Sequence, residues 1–187
     1  MSTACTPTAF RPRCSATDGT ALMRRFRRVS NDCVRLRLPH AERALLAAVI
    51  PQLRMVVEGD ADTEHLRARL FPPAYDDPEL EREFRQLVGD DMVDERLAAV
   101  DTALATLEDG HSRARQWFVD LDEHQVQSWL SVLHDLRLVL AQLVGITTEA
   151  DWEHKLDGAE PADLLLWHIG ALQEELLGVL MGGLSET

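Results

Sequence analysis

The sequence predicts a mainly α protein, a compact helical bundle with a small N-terminal antiparallel β-hairpin. Three observations predict it. Apolar residues recur at the helical period through most of the chain after Pro39, and Leu and Ala dominate them. One segment, Val34-Arg35-Leu36-Arg37-Leu38, alternates with the period of a strand instead. No glycine-rich loop joins a strand to a helix, and no strand–helix alternation of a parallel sheet is present. A chain of 187 residues, 45% of them hydrophobic, fits one domain with an arm. The expected division is a flexible arm over residues 1–20 and a single domain over 21–184.

Leu22–Val29 and Cys33–Leu38 form the hairpin, joined by the turn residues Ser30-Asn31-Asp32. In the second strand Val34, Leu36 and Leu38 share one face, and Cys33, Arg35 and Arg37 share the other. The first helix starts after Pro39 and is expected to kink at Pro51 and end at Gly59. A short helical piece follows. Then comes Leu70-Phe71-Pro72-Pro73-Ala74-Tyr75, a crossing that Phe71 and Tyr75 pin to the core. Asp77 is an N-cap with Pro78 at the first helical position. Leu80, Phe84, Leu87 and Val88 mark the buried stripe of that helix, and Gly89-Asp90 separates it from a third helix ending at Gly110. Trp117–Leu121 is read as an extended segment, a candidate third strand beside the hairpin. The strongest helical stripe runs from Val126 to Val144. A short helix is expected over 148–156. In the terminal helix, from Pro161 to Gly182-Gly183, Leu164, Leu165, Ile169, Leu172, Leu176 and Leu180 face inward. Leu166, Trp167, Leu177 and Val179 broaden that surface, so the helix is either central in the bundle or partly in an interface, with a homodimer as the simplest closed form.

Charge is divided unevenly. Residues 1–43 carry nine Arg against Asp18, Asp32 and Glu42, a balance of +6, and the rest of the chain carries −19 of the total of −13. Such a body argues against broad nucleic-acid affinity, while the basic end permits local DNA contact or docking of an acidic protein. All three cysteines, Cys5, Cys14 and Cys33, lie in the basic stretch. Cationic neighbours favour the thiolate, so redox sensing or metal binding stands against three incidental thiols. Arg35 and Arg37 share the face of Cys33, and Arg25 and Arg27 on the partner strand add to the field. These arginines either activate the thiol or contact an anion. A Cys3His zinc site with His40 has spacings of nine, nineteen and seven residues, which match no standard module, and no metal is expected.

No membrane span and no signal peptide are read, so the expected location is cytoplasmic. No cofactor is expected, and no nucleophile–base pair, metal motif or nucleotide loop indicates an enzyme. His134 and His168 read as packed histidines. A polar cleft setting either beside carboxylates would favour a hydrolase instead.

The segments Val34–Leu38, Arg69-Leu70-Phe71-Pro72-Pro73-Ala74-Tyr75-Asp76-Asp77-Pro78 and Asp135-Leu136-Arg137-Leu138-Val139-Leu140 resemble an actinobacterial family. That family was long described as a domain of unknown function, and its members are called oxidative-stress transcriptional regulators. The resemblance covers about residues 21–181, and Leu-Phe-Pro-Pro-Ala-Tyr is its most specific part. It implies a cytoplasmic regulator that senses oxidants through thiols and works with RNA polymerase sigma factors, without enzyme activity. In this sequence the sharpest expectation is a reversible intramolecular disulfide of Cys33 with Cys5 or Cys14, or between Cys5 and Cys14. The alternative is a protein-interaction adaptor without redox switching.

Overall fold

The computed structural model describes residues 24–59, 62–146, 151 and 160–182. The expected arm with Cys5 and Cys14 lies outside them, as does the helix read over 148–156 apart from Asp151. In chain order the elements are β1 (Phe26–Ser30), β2 (Cys33–Pro39), α1 (His40–Glu58), α2 (Glu64–Leu70), α3 (Pro78–Asp109), β3 (His111–Arg113), β4 (Gln116–Leu121), α4 (Glu123–Leu143) and α5 (Pro161–Gly182). The protein is mainly helical with one small antiparallel sheet.

That sheet has four strands in the order β1-β2-β4-β3, so the expected hairpin is half of it. β2 lies between β1 and β4, with Leu36 opposite both Phe26 and Val119. Alternation gives the sheet one apolar face, where Phe26, Val34, Leu36, Leu38, Trp117, Val119 and Leu121 are buried beneath the helices. β4 is the extended segment read at Trp117–Leu121. β3 escaped the sequence reading because its turn is Ala114-Arg115, both at positive φ (45° and 68°), without the glycine or asparagine that usually announces such a hairpin.

The central helix is α4, which touches α1, α2, α3, α5, β2 and β4. Its start is fixed by a capping box in which Asp122 accepts from the Gln125 backbone N–H and the Gln125 side chain accepts from the Asp122 N–H. Val126, Trp129, Val132, Leu133, Leu136, Val139 and Leu140 are buried along it. Each such side chain contributes roughly 1.5–3 kcal/mol of burial free energy. The buried indole of Trp129 donates to Thr106 Oγ1 at 2.8 Å, and that hydroxyl donates to Ala103 O, so both of these buried groups are satisfied.

Several expectations change. α1 runs unbroken through Pro51, whose ring is exposed. Buried Leu46 and Ile50 before it, and Leu53, Val56 and Val57 after it, hold both halves against the core despite the lost backbone bond. Gly59 ends α1 with φ of 83°, as read. α3 is one helix of 32 residues, continuous through Gly89-Asp90. A glycine costs a helix only about 1 kcal/mol relative to alanine, and Met92, Val93 and Leu97 just beyond it pack against the core. The stripe Leu80, Phe84, Leu87, Val88 is not a buried face: Leu80 is 48% and Leu87 72% exposed. Phe71 is buried, but Tyr75 is exposed and meets the edge of Phe84.

α5 is rotated from the expected register. Leu166 is fully buried, together with Ile169, Leu172 and Leu176, whereas Leu164 is exposed. Leu166 is therefore not available to a second copy. The exposed Leu164 and Leu177 lie roughly 140° apart around the helix and make no continuous stripe. α5 is also long and apolar enough, with a mean hydropathy of 1.3, to pass a compositional test for a membrane span. Its packing against α4 and β1 is equally that of a core helix.

Candidate functional site: an arginine-bearing sheet face

The face of the sheet opposite the core carries the residues singled out in the sequence. Along β2, Cys33, Arg35 and Arg37 are half-buried while Val34, Leu36 and Leu38 are buried, the alternation the sequence shows. Arg27 of β1 stands opposite Arg35, which stands opposite Asp120 of β4. In the next row the Arg37 N–H donates to Arg25 O, and Arg37 faces Phe118, which faces His111. The Phe118 and His111 rings stack with centroids 5.9 Å apart. Residues 24–38 bring six arginines to this sheet against one acid, Asp32.

Two of these arginines make forks to carboxylates. Arg35 makes a fork to Asp120, at 2.6 and 2.7 Å. That bond holds the Asp120 carboxyl below its ordinary range and keeps Arg35 firmly charged. Arg25 makes a similar fork to Glu42 of α1, at 2.5 and 3.1 Å, which ties the start of β1 to the first turn of α1. Arg27 is exposed beside the Arg35–Asp120 pair. Arg28 points the other way, reaching the last carbonyls of α5 at Val179 and Leu180. Arg25, Arg28 and Arg35 thus brace the hairpin, Arg27 is exposed, and Arg37 is half-buried on the same face.

Cys33 begins β2 on this same face, opposite Ser30. It also adds to the hold on the charged state of Arg35, after the stronger effect of Asp120 and against burial, which disfavours the charge. The Asp120 fork means that Arg35 is shared between a carboxylate and the thiol. Sequence reasoning missed Asp120, His111 and Arg113 as members of the face. The alternation of Gln116, Phe118 and Asp120 against Trp117, Val119 and Leu121 was the signal that could have found Asp120.

A second polar region lies between α3 and α4. A cleft of about 420 Å³ is lined by Glu95, Arg96, His124, Ser131, His134 and Asp135, among others. Asp135 is buried and faces Arg96, with Nε 3.2 Å from Oδ2. The pair is at ion-pair distance but not aligned as a hydrogen bond. Burial raises the Asp135 pKa, and Arg96 opposes that shift. His134 turns its Nδ1 to the Gln173 amide at 3.5 Å rather than to Asp135. Among the described residues no cluster of His, Cys, Asp and Glu is arranged to hold a metal ion.

Comparison with curated proteins and with solved structures finds no match in either. A family model described as "Domain of unknown function (DUF2017)" matches residues 23–180, from just before β1 into the last turns of α5. That span takes in the whole described sheet and all the helices packed on it, and the chain belongs to this family.

Proposed function

We propose that the protein is a cytoplasmic, non-catalytic regulator that docks an acidic protein surface on its arginine-bearing sheet face. The observation that supports the reading is exposed Arg27, in one sheet face with Arg35 and Arg37, a face that the described helices leave uncovered. The remainder of the chain is strongly acidic, so the basic face is a local attraction on a repelling body. This favours an acidic protein over a nucleic-acid duplex. The sequence resemblance implies that the partner is an RNA polymerase sigma factor acting under oxidative stress.

The thiol supplies the redox element of the proposal. Cys33 sits at one end of the docking face, and a disulfide from it to Cys5 or Cys14 would bring the N-terminal segment onto that face. The step is balanced by a peroxide: two thiols lose two hydrogens, the sulfurs join, and the peroxide is reduced to water. Peptide mapping after mild peroxide treatment, with free thiols alkylated, is expected to yield a Cys33 link at monomer mass. Recovery of Cys33 only as its alkylated thiol removes the switch.

The docking reading is tested by titrating a purified sigma factor, with duplex DNA as the comparison. Arg27→Glu combined with Arg37→Glu is expected to weaken sigma-factor affinity at least about tenfold, with a steep salt dependence in the parent protein. Asp120→Asn, which releases Arg35, is expected to strengthen it. Unchanged affinity in the double reversal excludes the face as the docking site.

A hydrolytic reading has one observation behind it, the cleft that brings His124, Ser131 and His134 together. Its buried carboxylate, Asp135, is turned toward Arg96 rather than toward a histidine, so the reading stands second.

A further inference from the structure

Among the described strands β1 lies at the edge of the sheet, and its outer edge opens on a cleft of about 540 Å³. Arg24, Phe26, Arg27 and Arg28 line one side of it, and Glu175, Gly178, Val179 and Gly182 of α5 line the other. The pairing with β2 turns the backbone groups of Arg25 and Arg27 inward and those of Phe26 and Arg28 toward the cleft. A protein that leaves such an edge bare invites another strand. Here the edge is answered by a side chain: Phe26 N–H donates to Glu175 Oε1 at 3.1 Å. Glu175 thus occupies the place that a backbone carbonyl of an added strand would take, and it shows that the cleft accepts a carboxylate.

The walls are matched to that charge. Arg24 and Arg27 are exposed at the rim. Arg28 reaches across the floor to Asn31 O and Val179 O, and its buried Nε makes no hydrogen bond. A register shift between Arg28 and Ser30 limits regular pairing to the first part of β1, next to these arginines.

We propose that the β1 edge and its arginine-lined cleft are the docking groove for an extended acidic segment of a partner protein, which adds as a strand beside β1 and displaces Glu175. The proposal rests on the reading of the sheet face as a surface for an acidic protein and specifies how the partner is held. Backbone pairing supplies affinity, and side chains directed to the outer face meet Arg27. Glu175 is then a built-in competitor that keeps the edge closed to segments lacking charge.

The test uses the full chain and a fluorescent peptide alternating Glu with Val, followed by anisotropy. A second peptide of the same sequence carries N-methyl groups on the amides that would face β1. Glu175→Ala is expected to bind the first peptide roughly tenfold more tightly, since a charge-assisted bond no longer has to be displaced. Glu175→Gln, which keeps an acceptor for Phe26 N–H without the charge, is expected to fall between. Arg24→Glu with Arg27→Glu is expected to weaken binding by a similar factor, and N-methylation to abolish it. Equal binding of the two peptides, or no response to either Glu175 variant, overturns strand addition. If binding still falls with Arg37→Glu in that case, the face remains a docking surface for acidic segments. Indifference to every arginine reversal overturns both.

Discussion

Replacing Arg96 with methionine is expected to destabilise the protein by roughly 3–5 kcal/mol, the range for removing one partner of a buried ion pair. Arg96 joins three elements at once. Its Nε faces the buried Asp135 carboxylate at 3.2 Å, its Nη2 donates to Leu70 O at 3.2 Å, and its guanidinium lies 4.7 Å from the Phe71 ring centroid. Arg67 covers the same ring at 4.9 Å. Methionine fills much of the volume but supplies neither charge nor donors, and Asp135 is then left buried without its cation. The deficit should depend on pH. Burial already raises the folded-state pKa of Asp135, and losing Arg96 raises it further. Below the unfolded-state value, near 4 for an aspartate, both states hold the proton and this part of the deficit is absent. As pH rises, the unfolded state releases its proton first. Stability therefore falls until the folded-state pKa is passed and is level above it. Urea denaturation across that window checks the sign. A second change, Asp135→Leu, is expected to recover most of the loss, because removing both charges leaves no unpaired group. A small, pH-independent loss in the single variant would show that Arg96 is an exposed brace and not the partner of a buried charge.

This joint also explains what the sequence made legible. The segments carrying the family resemblance, Leu70-Phe71-Pro72-Pro73-Ala74-Tyr75 and the one beginning at Asp135, are far apart in the chain yet meet at Arg96. The rest of the first segment is held by α3: Arg85 donates to Phe71 O and Pro72 O, and Glu81 accepts from the Ala74 and Tyr75 N–H groups. These two segments build a scaffold, whereas the third, Val34–Leu38, supplies Arg35 and Arg37 of the arginine face. The helix start at Asp77 was readable because a local side chain decides it. Continuity through Pro51 and Gly89 was not, because distant core contacts outweigh a local penalty of a few kcal/mol. The exposed Leu80 and Leu87 have the same cause in reverse, since periodicity marks an apolar stripe but not whether a neighbour covers it. At the candidate site, alternation placed Cys33, Arg35 and Arg37 on one face. It could not show that Asp120, 85 residues from Arg35, would hold one of them.

Gly110→Ala is expected to be the most disruptive alanine replacement among the described glycines, with a loss of about 3 kcal/mol or more, at the upper end of overpacking costs. The reason is space and not backbone freedom, for Gly110 has φ of −70° and ψ of 164°, an ordinary extended conformation. A methyl group there would overlap the six-membered ring of the Trp117 indole and lie 2.6 Å from Phe118 O. Neither neighbour can withdraw cheaply. Phe118 O belongs to the backbone of β4, a strand paired on both sides. Trp117 is only 2% exposed and lies under the guanidinium of Arg43, at 5.6 Å. Arg43 in turn donates through Nε and Nη2 to Leu107 O, at 2.9 and 2.7 Å, in the last turn of α3. Displacing the indole therefore disturbs the exit from α3, the β3–β4 pairing and the first turn of α1 together. Because β4 also carries Asp120, the same substitution is expected to loosen the outer sheet face and lower affinity for an acidic partner. Thermal denaturation with near-ultraviolet circular dichroism of the tryptophans reads both the loss and its place. Gly178→Ala is the matched control, since a methyl group there meets nothing within 4 Å. It should be neutral or slightly stabilising through its helix propensity. If Gly110→Ala behaves like that control, the close packing of Trp117 against residue 110 is wrong. The coupling drawn from α3 through the indole to the arginine-bearing face would then have no physical basis.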